Sequence, residues 1–407
     1  MHIPNGFSFA GIACGIKPPG QPDLALLFSS LPATAAAVFT QNRYAAAPVH
    51  YDKRLLAQNQ ANVHAIIINS GNANAVTGPA GLAHARLMAE AVESRFGLPP
   101  WSTLVASTGV IGVPLPIERI EAATPELFAS LKGDEPSFLA AARAIMTTDT
   151  RPKTTSTQIQ IQNTTINLAG MSKGSGMIHP NMATMLGFLM TDARLTPEAA
   201  QQALIQATNA SFNRITVDGD TSTNDTAILL ANGAAGGPLI QAGTPELQAF
   251  TQALTSVCIP LAQAIVRDGE GATKFVTVQV SGLDDDQEAH RVANAIATSP
   301  LVKTAIYGGD ANWGRILAAA GYSGARFQPQ RAELWITGGP HADAYLPKVQ
   351  LVAQGTPLDY DETAASHCFA QPELLIQLQL GEGPGHAEMW TCDFSHEYVT
   401  INGEYRT

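Results

Sequence analysis

Short apolar runs of strand length alternate along the chain with stretches of helical period. That rhythm restricts it to the α/β class, in which sheets are covered by helices. Strand-like runs lie at 24–29, 64–69 and 103–107, and amphipathic helical patterns at 81–96 and 136–146. Two helix starts are explicit. Thr196-Pro197-Glu198 and Thr244-Pro245-Glu246 each put Thr at the N-cap and Pro at the first helical position, the second opening a helix towards Val266. One segment breaks the rhythm. Residues 174–181 are a polar loop with Gly174, Gly176 and Pro180, and they run straight into 182–190, an almost unbroken apolar run. A polar loop feeding a buried strand is where function tends to sit, and Thr184 lies at that junction.

The pattern changes character at Gly282-Leu283-Asp284-Asp285-Asp286, which sets an expected boundary between a first domain, 1–283, and a smaller α/β domain, 284–407. The second carries a helix near 287–299, a glycine-rich turn at Gly308-Gly309-Asp310, and alternating strands at 332–337 and 374–380. A chain of 407 residues is long enough to give each a core. No repeat of solenoid period stands out.

A net charge of -11 argues against nucleic acid or an anionic membrane as the partner. The start, Met1-His2-Ile3-Pro4-Asn5-Gly6, lacks the basic and apolar pattern of a signal peptide, and no stretch reads as a membrane span, so a cytoplasmic protein is expected. Cys14, Cys258, Cys368 and Cys392 are far apart and form no CxxC pair. They read as reduced, mostly buried thiols, with neither a zinc site nor a disulfide framework. The ten histidines have no metal-ligand spacing.

Several signatures are absent or broken. Gly309–Gly314 is followed by Arg315, so it misses the phosphate-loop pattern, and neither GxGxxG after a strand nor GxSxG occurs. The run from Asp218 to Asp225 resembles a calcium loop but lacks glycine at the sixth position and has Leu229 at the twelfth. It reads as a turn, or as a segment supporting an active site.

On residue type alone, Thr184 in an apolar run is a strand threonine. Its surroundings change that reading. The segment Lys173-Gly174-Ser175-Gly176-Met177-Ile178-His179-Pro180-Asn181-Met182-Ala183-Thr184-Met185-Leu186 resembles the self-cleavage segment of the ornithine acetyltransferase (glutamate N-acetyltransferase) family. The likeness includes Ile68-Asn69-Ser70-Gly71-Asn72-Ala73-Asn74-Ala75, Ser107-Thr108-Gly109-Val110-Ile111-Gly112 and Met146-Thr147-Thr148-Asp149-Thr150. It continues through the 217–225 run, Arg267-Asp268-Gly269-Glu270-Gly271-Ala272-Thr273-Lys274 and Gly309-Asp310-Ala311-Asn312-Trp313-Gly314-Arg315, and ends at Tyr405-Arg406-Thr407. Departures at Gly187, Leu189 and Gly403-Glu404 bear on fine specificity rather than on reaction class.

The resemblance implies a layered α-β-β-α sandwich with self-processing of the N-terminal-nucleophile kind, cut between Ala183 and Thr184 into chains 1–183 and 184–407. The C-terminal domain would complete the substrate pocket, and the fragments would associate as a heterotetramer of two alpha and two beta chains. The chemistry is intelligible. A threonine at a chain N-terminus carries its own base, because an α-amino group titrates near about 7.7–8.0. The family pattern implies Thr184 as nucleophile, Thr108 and Gly109 as oxyanion hole, and Thr147, Lys173, Thr184, Glu270, Asn402 and Thr407 as substrate contacts. Thr148, beside Thr147, stays open as the alternative. N-acetylornithine, glutamate and, as a donor left open, acetyl-CoA are the implied substrates in arginine biosynthesis, with no cofactor and no metal. A self-processing aminopeptidase or amidase of the same fold is the alternative.

Overall fold

The computed structural model describes residues 1–179, 185–339 and 346–404. Thr184, Ala183 and Thr407, all expected at the site, lie outside the described residues. The chain divides into two compact units, one of 1–213 with 221–265, the other of 214–220 with 266–407.

The first unit opens with β1 (Phe7–Ile12), β2 (Leu24–Phe39), α1 (Ala47–Leu56) and β3 (Val63–Asn72). It continues through α2 (Gly78–Phe96), β4 (Thr103–Val110), α3 (Ile117–Ala129) and α4 (Glu135–Ala144). Next come β5 (Lys153–Ile161), β6 (Thr164–Lys173), β7 (Leu186–Thr191), α5 (Pro197–Asn209), β8 (Thr226–Ala231) and α6 (Pro245–Arg267). The sheet order is β4-β3-β2-β8-β7-β6-β5, with β1 on β2.

The 16-residue β2 is the corner of this arrangement. Its first half, Leu24 to Phe28, pairs with β1 and β3, and its second half, Thr34 to Phe39, pairs with β8. A strand that changes partners part-way lets one continuous sheet fold into two layers. Both layers feed one core: Leu24, Leu26, Ile66, Ile68 and Leu104 share a cluster with Met171, Phe188, Met190, Ile228 and Leu230.

Period two explains the apolar run after Thr184. Leu186, Phe188 and Met190 point into that shared core. Leu189 faces the other way: a side chain added at Gly170 would meet Leu189 together with Val257 and Leu261 of α6. A strand buried on both faces has to be apolar throughout. The layered α/β class expected from the sequence is the class observed, with helices against the sheet faces.

Both explicit helix starts are used as written. Thr196 Oγ1 accepts from Ala199 N at 3.2 Å, and Thr244 Oγ1 accepts from Leu247 N at 3.2 Å. α6 corrects one expectation. At 23 residues it is long and apolar enough to cross a membrane, although no stretch had read so. Here Phe250, Leu254, Val257, Cys258, Leu261 and Ala262 are buried in the fold, as in the core helix of a globular domain.

The second unit contains β9 (Phe275–Gly282), α7 (Asp286–Thr298), α8 (Pro300–Gly308), α9 (Trp313–Gly321), β10 (Glu333–Gly339), β11 (Val349–Ala353) and β12 (Thr356–Pro357). It ends with α10 (Glu362–Phe369), β13 (Glu373–Gln379), β14 (Gly383–Cys392) and α11 (His396–Gly403). Its sheet order is β12-β11-β10-β13-β9-β14. Val276, Val278 and Val280 of β9 pack with Val292 and Ile296 of α7 and with Ile336 and Ile376. β9 thus lies on the N-terminal side of the boundary drawn at 283 yet forms part of the second sheet. The polar Gly282–Asp286 stretch is the β9–α7 turn. Among the cysteines, Cys258, Cys368 and Cys392 are buried, Cys14 is intermediate, and all four are free.

Candidate active site

In the first unit, the C-terminal ends of β3, β4 and β6 and the N-terminal ends of β7 and β8 converge. Lys173 is the register partner of Leu186, and Leu186 of Thr226. Met185, the residue after Thr184, accepts from Thr226 N through its carbonyl at 2.9 Å. A cavity of ≈ 30 Å³, room for a water-sized group, is lined here by Thr108, Lys173, Met177, Met185, Asn224 and Asp225, among others.

Thr108 and Gly109 had read as a turn after a strand, but β4 runs through both to Val110. The register against β3 slips at Asn72, so this strand end is irregular. Gly109 has φ +132, and a Cβ there would lie 2.3 Å from the carbonyl carbon of Gly71. Only glycine fits so close a backbone approach. Amide side chains latch the strand end: Asn69 Oδ1 accepts from Ser107 Oγ at 2.6 Å, and Asn224 Nδ2 donates to Ala73 O at 2.6 Å and Ser107 O at 2.8 Å.

Lys173 and Thr108 are brought together. Lys173 Nζ donates to Thr108 Oγ1 at 3.1 Å, and both residues are buried. Beneath them Asp149 is a hub. Its Oδ1 accepts from Lys153 Nζ at 2.6 Å and from Gly174 N at 2.7 Å, and its Oδ2 from Thr147 N at 3.0 Å. Burial alone would raise the Asp149 carboxyl; the ammoniums of Lys173 and Lys153 and the Gly174 amide outweigh it and hold it down at about 2. Lys17, nearby, is lowered to about 8 by burial, with the like charge of Lys173 adding to the shift.

Asp225 is the opposite case. It is fully enclosed, and its Oδ2 has no hydrogen-bond partner among the described residues. Burial raises its carboxyl well above the usual range, against the pull of Ser222 and Lys173.

Thr147 and Thr148 differ in their commitments. The Thr148 hydroxyl is bonded to Ser175 Oγ at 2.7 Å, whereas Thr147 is held through its backbone by Asp149. The loop that leads towards Thr184 is anchored too: Thr221 Oγ1 donates to His179 O at 3.0 Å, Gly174 adopts φ +151, and the non-glycine Met177 adopts φ 53. The Asp218–Asp225 run, read as a turn or a supporting segment, contributes Thr221, Asn224 and Asp225 to this framework.

In the second unit, Glu270 follows α6, and α11 brings Asn402 to it: Asn402 Nδ2 donates to Glu270 Oε2 at 2.8 Å. Glu270 is buried and Asn402 exposed. Sequence reasoning missed Asp149, Asn224 and Asp225 as individuals, although each sits in a stretch it had singled out.

A hydroxyl beside a buried ammonium, with a carboxyl facing the same cavity, is equipped to stabilise charge developing on an acyl oxygen. Acyl transfer is one chemistry that such a site can serve. Comparison with known proteins agrees with that class. The ArgJ family model matches residues 8–407. The chain is 48% identical over 404 residues to the arginine biosynthesis bifunctional protein ArgJ of Chlorobaculum tepidum, covering 99% of this chain and 96% of the relative. It is also 48% identical to the mitochondrial ArgJ protein of Chaetomium globosum, covering 99% of this chain and 88% of that one. Among solved structures, the ornithine acetyltransferase of Mycobacterium tuberculosis in complex with ornithine is 39% identical, with a TM-score of 0.38. That match covers 44% of this chain and 94% of the solved one. The chain belongs to the ArgJ family, and it is an acyltransferase of arginine biosynthesis.

Proposed function

We propose that this chain transfers acetyl from N-acetylornithine to glutamate through an ester on Thr184. The observation that carries the reading is the Lys173–Thr108 pair next to Met185, one residue beyond Thr184, in a chain of the ArgJ family. In processing, Thr184 Oγ attacks the Ala183 carbonyl, the peptide C–N bond breaks, and the amine takes up a proton. Water then hydrolyses the ester, releasing the Ala183 carboxylate and a free Thr184 amine. In transfer, that amine accepts the hydroxyl proton as Oγ attacks the acetyl carbon, and ornithine leaves as the amine. The amine of glutamate then attacks acetyl-Thr184 and restores the hydroxyl. Thr108 Oγ–H and Gly109 N–H stabilise each oxyanion. Acetyl-CoA is a second donor to be assayed separately.

Substrate charge is matched by residue chemistry. The Lys173 ammonium suits the α-carboxylate and Glu270 the ornithine ammonium, with Asn402 and Thr407 adding polar contacts. Of the two neighbouring threonines, Thr147 is the proposed contact, because the Thr148 hydroxyl is already bonded to Ser175. The working assembly in this reading is a heterotetramer of fragments 1–183 and 184–407 in the cytoplasm. Residues 284–407 contribute to recognition of ornithine compounds.

Steady-state kinetics test both parts. Double-reciprocal lines for acetylornithine and glutamate are expected to be parallel, and intersecting lines would rule out the covalent route. Glutamate has no side-chain ammonium, so Glu270→Gln is expected to raise KM for acetylornithine about ten- to a hundredfold and to affect glutamate less. Equal losses for both substrates would remove Glu270 from ornithine recognition.

A further inference from the structure

We propose that Lys173 is a positioning residue for the oxyanion donor: its ammonium orients and polarises the Thr108 hydroxyl, beyond any contact it makes with substrate. The inference rests on the reading of Thr108 as an oxyanion donor. The bond has only one possible direction, because an ammonium carries three donors and no acceptor. At 3.1 Å, Lys173 Nζ therefore gives a hydrogen to Thr108 Oγ1, and the hydroxyl hydrogen must point elsewhere. Among the described residues nothing else is bonded to that hydroxyl, and Thr108 lines the cavity beside Met185. A hydroxyl whose oxygen accepts from a cation is a stronger donor through its own hydrogen, as successive bonds polarise one another.

The support is built to keep the ammonium in place. Lys173 ends β6, and the next amide, Gly174 N, is tied to Asp149 at 2.7 Å. Asp149 keeps Lys153 as a direct ion pair, so the carboxylate retains a partner if Lys173 is neutralised. Asp225 faces the same cavity and supplies a second carboxyl near the ammonium. A lysine serving only to grip a substrate carboxylate has no need to spend a donor on a buried threonine.

A double-mutant cycle decides the matter, using the full chain and four proteins: wild type, Thr108→Val, Lys173→Met and the double variant. Each is measured for the rate of self-cleavage, for kcat and for KM of N-acetylornithine, with thermal melts checking that it folds. Thr108→Val is expected to slow whichever of the two steps uses the hole about 100- to 1,000-fold. On that step Lys173→Met should cost about tenfold or more with Thr108 present, and less than about threefold in the Thr108→Val background. If Lys173→Met does not fold, Lys173→Gln replaces it, retaining a donor without the charge. Equal losses in both backgrounds, or a rise in KM with both rates untouched, would overturn the proposal while leaving Thr108 as donor. Full rates in Thr108→Val would overturn the oxyanion reading, and this inference with it.

Discussion

Thr184→Ala is expected to purify as a single chain of full length, with no detectable acetyl transfer. Removing the hydroxyl takes away the atom that attacks the Ala183 carbonyl, so the peptide bond has no internal nucleophile. It also takes away the atom that would carry acetyl. For enzymes acting through a covalent nucleophile, such a deletion costs on the order of a millionfold in kcat. Folding should survive, because the buried run continues from Leu186 along β7, and its Phe188 and Met190 pack in the first-unit core whatever side chain stands at 184. A denaturing gel and a transfer assay check this. Cleavage of the variant at the same bond, or transfer within tenfold of wild type, would mean that another group performs the chemistry.

The largest expected effect on stability belongs to Asp149→Ala. Asp149 is buried and holds Lys153 Nζ, Gly174 N and Thr147 N. Its loss removes the carboxylate that pairs at 2.6 Å with the Lys153 ammonium, itself 2% exposed, and that holds both backbone amides. Breaking a buried pair from one side costs about 3–5 kcal/mol, which for a unit of this size lowers Tm on the order of 10 °C. Asp149→Asn, which keeps part of the hydrogen bonding, should lose less. The pH dependence has a defined sign. The folded carboxyl titrates at about 2, against an ordinary 3.8. Its contribution is therefore fully present above pH 4 or so and is lost as the pH falls towards about 2. The acid limb of a stability profile should flatten in Asp149→Asn. A melting temperature within about 2 °C of wild type in Asp149→Ala would remove Asp149 as the hub.

The parts of this fold that were legible in the sequence are those set by local pattern. The starts of α5 and α6 follow from Thr-Pro-Glu, because an N-cap hydroxyl and a proline act within one turn. The run after Thr184 is legible as a strand because both of its faces are buried. What was missed depends on long-range geometry. β2 was read only over 24–29, because its exposed middle at Ser30, Leu31 and Pro32 hides the change of partner from β3 to β8. The polar stretch at 282–286 was read as a domain boundary, yet it is a turn within the second unit, since β9 pairs with β13, about a hundred residues later.

The same division runs through the candidate site. Motifs brought Thr108, Gly109, Lys173 and Glu270 forward, and the structure places Lys173 on Thr108 and Asn402 on Glu270. Asp149 could not be recognised as a hub, because its partner at Gly174 is 25 residues away and is a backbone amide with no side-chain signature. Asp225 looked like one more carboxylate in an acidic run. Nothing local says that it is enclosed, with an oxygen left without a hydrogen-bond partner among the described residues.

The most direct measurement is intact mass spectrometry of the processed protein incubated with N-acetylornithine and no glutamate. Transfer through Thr184 predicts one added acetyl group on the fragment beginning at Thr184, mapped to that residue by peptide sequencing and discharged when glutamate is added. An unmodified fragment under conditions where transfer to glutamate proceeds, or acetyl on any other residue, would contradict the account.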